Sequence, residues 1–69
     1  MASLQQYLEK MSDEELRGIL RSYCNGTVDI ALDGAFMICV ILARRNPQLP
    51  NPKALFRSLC REYCKENTL

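Results

Sequence analysis

The sequence predicts an all-α fold, a small compact bundle of four short helices with the third, over about residues 33–46, buried at its centre. Three observations carry this. Residues 35–43 are nine consecutive apolar residues, Ala-Phe-Met-Ile-Cys-Val-Ile-Leu-Ala. At about 100° per residue on a helical wheel they leave no angular gap wider than about 60°. A surface helix keeps one polar face, and this segment has none before Arg44 and Arg45, so other elements must wrap it. Second, the flanking apolar residues recur at spacings of three and four. Third, the breaks between those runs fall at cap and turn residues.

Ser3 is placed to cap a first helix reaching about Met11, with Leu4, Tyr7, Leu8 and Met11 on one face. Ser12 followed by Glu15 is a capping box, in which the hydroxyl accepts a first-turn amide while the carboxylate reaches back to the cap amide. Asp13, Glu14 and Glu15 then stand where a helix dipole favours negative charge. This second helix runs to about Cys24, with Leu16, Ile19, Leu20 and Tyr23 inward. Asn25-Gly26 ends it, since both residues tolerate the left-handed conformation just past a helix terminus.

Residues 27–32 alternate apolar and polar with the period of a strand, but a lone strand has nothing to pair with in so short a chain. An extended connector is expected, with Asp29 or Asp33 capping the third helix. That helix meets Arg44 and Arg45 at its negative end and cannot continue through Pro47. Asn51-Pro52 is an N-cap followed by Pro at the first helical position. The fourth helix runs to about Lys65, with Leu55, Phe56, Leu59, Cys60, Tyr63 and Cys64 toward one side. Leu16, Ile19, Leu20, Phe36, Cys39, Val40, Leu42, Leu55, Phe56 and Leu59 are the expected packing residues. Met37, Ile38 and Ile41 are expected to reach a partner surface, because three short helices cover a fourth incompletely. Residues 1–69 form one domain.

Composition narrows the function. The chain has no histidine, which removes the commonest general base and metal ligand. Its glycines are isolated, so no phosphate-cradling loop exists. Asp29 and Asp33 read as caps rather than a catalytic pair. No catalytic residue, cofactor site or small-molecule substrate is expected, and the protein is read as a non-enzyme. Residues 35–43 are too few to cross a bilayer, and the first twenty residues lack the apolar core of a secretory signal. A cytoplasmic protein that does not engage membranes is expected.

Charge is nearly balanced, with nine Lys and Arg against eight Asp and Glu, but it is unevenly placed. Residues 1–43 carry six acids and three bases; residues 44–69 carry six bases and two acids. Such a two-ended distribution suits self-association or an acidic partner. The expected function is therefore a non-catalytic protein interaction or assembly module, most simply a homodimer.

Two alternatives remain. Lys53, Arg57, Arg61 and Lys65 recur every four residues, a basic stripe opposite the apolar face of the last helix. Read as phosphate contacts, the stripe makes a nucleic-acid-associated regulator; read blandly, it is a solvated helix face. Cys24, Cys39, Cys60 and Cys64 are enough for a zinc or thiol protein, but the spacing departs from the paired ligands of zinc modules. Core packing is the expectation for them.

Overall fold

A computed structural model describes residues 3–67, with side chains described through Cys64. Among these residues the chain forms helices α1 (Leu4–Glu9), α2 (Asp13–Asn25), α3 (Leu32–Arg45) and α4 (Pro52–Asn67), and no strand. The fold is the small all-α bundle that the sequence predicts.

Local chemistry sets most boundaries. Ser3 and Gln6 cap α1 reciprocally at 3.2 Å in both directions. Ser12 and Glu15 do the same for α2, with the Ser12 amide donating to the Glu15 carboxylate at 3.0 Å and the Glu15 amide to the Ser12 hydroxyl at 3.2 Å. The Ser12 amide holds the Glu15 carboxyl below its usual range. At the far end of α2, Gly26 has φ 75°, and the Gly26 and Thr27 amides donate to Tyr23 and Ser22 carbonyls. These paired bonds satisfy the last carbonyls of the helix. The Asn51 side chain accepts from the Ala54 amide at 2.9 Å, with Pro52 in the first helical position.

The start of α3 departs from expectation. Ala31 holds the cap position with no side-chain hydrogen bond, and the helix begins at Leu32. Asp33 therefore lies inside the first turn, where its charge meets the helix dipole but its side chain caps nothing, and Asp29 lies outside the helix altogether. The reason is the connector. Residues 27–31 are non-helical with a bend at Val28, Val28 and Ile30 half-buried and Asp29 exposed. Ile30 packs against the core, so the chain enters α3 already laid along it.

Around α3 the other helices gather as the apolar run demands. α3 contributes Ala35, Ile38, Cys39, Ile41 and Leu42 to the core; Leu8 comes from α1, Leu16 and Leu20 from α2, and Leu55, Leu59 and Tyr63 from α4. Leu4 lies against Gly34, and Glu9 against Arg44, so α1 runs alongside α3 in the same direction. A Cβ on Gly34 would sit 3.3 Å from the Leu4 side chain, so the glycine sets how closely the two helices approach.

The expected core needs a correction in phase. Phe36 is 37% exposed, while Ile19, Val40 and Phe56 are half-buried. Ile38 and Ile41, expected to reach a partner, are instead core residues at 0% and 2% exposure. α1 packs on the side of α3 that carries Gly34 and Ile38, and α4 borders Phe36 through Phe56, so the Leu32–Phe36–Val40 strip between them is left open.

A polar clamp ties the α1–α2 corner to the end of α3. The Arg45 guanidinium donates to the Glu9 carbonyl (2.8 Å), the Met11 carbonyl (2.8 Å) and the Asp13 carboxylate (2.9 Å). Asn46 donates to the other Asp13 oxygen at 3.1 Å and back to the Leu42 carbonyl at 3.0 Å. Arg45 thus supplies donors to carbonyls at the end of α1, which has no basic residue in its own last turn.

Hydrogen bonds from Arg45, then Asn46, hold the Asp13 carboxyl below the ordinary aspartate value of 3.8. A depressed folded-state pKa contributes stability that is present above the unfolded value and is lost as pH falls through the folded one. Thermal unfolding should accordingly show the midpoint dropping as pH is lowered from about 5 to about 3. Asp13→Asn should lower the midpoint at neutral pH and flatten that slope; an unchanged slope in the variant would contradict the clamp.

Candidate interaction surface

The side of α3 that α1 fails to cover forms an open apolar groove of about 680 Å³. Leu32, Phe36 and Val40, four residues apart, run along it, with Met37 and Ile41 flanking. Phe56 of α4 supplies one wall and Gln5 of α1 reaches the opposite edge. Leu32 is 57% exposed. Phe36 is held in place by an edge-to-face contact with Phe56, with ring centroids 6.3 Å apart at 82°. Phe56 in turn touches Tyr23 at 6.5 Å. An aromatic pair of this kind contributes about 0.5–1.5 kcal/mol beyond area burial, which fixes the Phe36 ring at the surface rather than letting it turn inward.

Charge at the groove is arranged end to end. Asp33 lies toward the start of α3, and Arg44 and Lys53 lie at the other end. Arg44 bonds Glu9 at 2.9 Å, but both side chains are well exposed. A pair like that contributes at most about 1 kcal/mol, so Arg44 can exchange partners at little cost.

Of the residues expected at an interaction surface, Met37 lines the groove, half-buried, while Ile38 and Ile41 belong to the core. The residues missed were Leu32, Phe36 and Val40. No periodicity in residues 35–43 could have found them, because a segment apolar all round has no preferred side. A smaller apolar cavity of about 210 Å³ lies under α1, between Leu4, Tyr7 and Leu8 and the connector residues Val28 and Ile30, with Gly34 and Ile38 also lining it.

The basic stripe is placed as the spacing requires. Lys53, Arg57 and Arg61 are exposed on α4, and Lys53 and Arg57 border a shallow depression of about 220 Å³ with Asn51 and Ala54. The Lys65 side chain lies outside the described residues. Lys53 is shared between stripe and groove rim.

The cysteines range from buried Cys39 through half-buried Cys24 and Cys60 to exposed Cys64, and no disulfide joins them. Burial pushes the Cys24 thiol up to about 12, helped by its hydrogen bond to Cys60, and the Cys39 thiol up to about 11. Among the described residues, no group of three or more His, Cys, Asp or Glu side chains is arranged to hold a metal ion. Nor is any helix long and apolar enough to cross a membrane.

No protein-family model, no curated protein and no solved structure matches the chain.

Two substitutions separate groove from core. Ile38→Ala should cost about 2–5 kcal/mol, the usual range for emptying a filled core position. Leu32→Ser should stay within about 0.5 kcal/mol, as exposed positions do. Denaturant unfolding reads both, and equal losses at the two sites would contradict the assigned phase of α3.

Proposed function

We propose that this chain is a non-catalytic cytoplasmic interaction module that self-associates as a dimer, with the groove along α3 as its contact surface. The observation that carries the reading is the exposure of Phe36 and Leu32 in an open apolar groove. Aromatic anchors of this kind dominate interface energetics. The charge arrangement supports a second copy as the occupant. A two-fold axis near the middle of α3 sets two such helices antiparallel, which brings Asp33 of one copy toward Arg44 and Lys53 of the other. A two-fold interface requires this kind of self-complementarity.

Size sets the expected strength. Fourteen residues of α3 span about 21 Å, so the contact falls at the small end of specific interfaces. Micromolar rather than nanomolar association is expected. Light scattering across a concentration series should show mass rising toward twice the monomer at high micromolar concentration. Phe36→Asp should weaken association at least about tenfold while leaving the helical circular-dichroism spectrum intact. A wild-type chain that stays monomeric throughout the series would sink this reading.

A second reading, a nucleic-acid-associated regulator, draws on the exposure of Lys53, Arg57 and Arg61 along one face of α4. Phosphate contacts are strongest at low salt. Absence of measurable DNA binding near about 50 mM salt retires it, and binding that weakens steeply with added salt would support it.

A further inference from the structure

Aromatic and cation contacts set α2 against one stretch of α4. The Tyr23 ring packs on Phe56, and the Arg21 guanidinium lies 5.1 Å from the centre of the Tyr63 ring. Cys24 follows Tyr23 directly, while Cys60 and Cys64 stand one helical turn apart on α4, around Tyr63. These contacts run α2 and α4 past each other with Cys24 and Cys60, both half-buried, at the seam and Cys64 exposed beside it. Cys39 of α3 lies behind them, fully buried. None of the four lines the α3 groove, so this site is separate from the proposed dimer contact.

The geometry points to Cys24 and the Cys60/Cys64 pair as a dithiol site that a peroxide oxidises to a disulfide joining α2 to α4. Cys64 is the exposed member and takes the first step. Its sulfur attacks one peroxide oxygen, the O–O bond breaks, water leaves, and Cys64 becomes a sulfenic acid. The Cys24 sulfur then attacks the Cys64 sulfur. The S–S bond forms, the S–O bond breaks, and the departing hydroxide takes the Cys24 proton as a second water. Two sulfurs have lost two electrons, and the peroxide oxygens have gained them. Exchange with Cys60, one turn away, moves the bond without further oxidation. An added dithiol reverses the whole sequence by the same exchange chemistry.

The order of events follows from burial. Cys64 is exposed and Cys24 half-buried, so peroxide reaches Cys64 first and Cys24 is left to capture the sulfenic acid. Cys39 is out of solvent's reach and takes no part. The bond would close a long loop between α2 and α4 and so restrict the unfolded chain.

Hydrogen peroxide on the full-length chain tests this, followed by tryptic digestion without reduction. Cys24 and Cys39 then lie in peptide 22–44, Cys60 in 58–61 and Cys64 in 62–65. The expected product is peptide 22–44 joined to 58–61 or 62–65 from the same chain, with fragment ions placing the bond on Cys24. The thermal midpoint should rise by at least about 5 °C on oxidation and return with dithiothreitol. Cys24→Ser should abolish both effects. Because Cys24 is half-buried, the exposed Cys64→Ser variant is the safer control, and it should slow formation of the link at least about tenfold. Oxidation of Cys64 to a sulfinic acid without a link, a bond to Cys39, a link between two chains, or one equivalent of zinc held on these thiols after purification would each overturn the proposal.

Discussion

A helix with no polar side must be enclosed, and the rest of this fold is organised around meeting that demand for α3. Each Leu or Ile removed from water contributes about 1.5–3 kcal/mol, and α3 places Ile38, Ile41 and Leu42 side by side in the core. α2 and α4 answer with Leu16, Leu20, Leu55 and Leu59. α1, at six residues, is too short to be stable alone. Its Leu8 reaches the core, and it packs on α3 at Gly34, away from Phe36. The strip of Leu32, Phe36 and Val40 stays exposed because it lies between α4, which borders it through Phe56, and α1, which packs at Gly34 and reaches the strip's edge through Gln5.

Polar groups do a different task here. Among the described residues no polar or charged one is buried, so hydrogen bonding does not compete with apolar packing in the interior. The Arg45–Asp13–Asn46 clamp sits at the bundle's end and joins three successive pieces of chain, the end of α1, the start of α2 and the end of α3. Its partners are partly exposed, which limits what it adds to stability, but a planar guanidinium that must meet two carbonyls and a carboxylate accepts few orientations. Apolar packing holds the helices together, and the clamp determines the angle at which α1 arrives.

The two candidate surfaces follow from the two sides of α4. Its Phe56 faces both Phe36 in the groove and Tyr23 on α2, and one turn further on Cys60 faces Cys24. A row of three rings thus stands between the groove and the thiol seam. Each side uses chemistry the other lacks: exposed apolar area with charged ends in the groove, clustered sulfur at the seam.

Helix starts and stops were legible residue by residue, because a cap is local chemistry. Ser12 with Glu15, Gly26 after Asn25, and Asn51 before Pro52 act within one turn of themselves, and the structure places each where the sequence puts it. Asp29 and Asp33 do not cap α3, because the connector packs through Ile30 and the helix begins at Leu32. That α3 would be central was also determined by sequence, since nine apolar residues admit no other place. Which of its sides would face water was not, for a helix apolar all round carries no phase, and only the lengths and positions of α1, α2 and α4 supply one. The meeting of Cys24 with Cys60 and Cys64 belongs to the same class. It joins residues far apart along the chain, so it comes into being only when α2 and α4 pack.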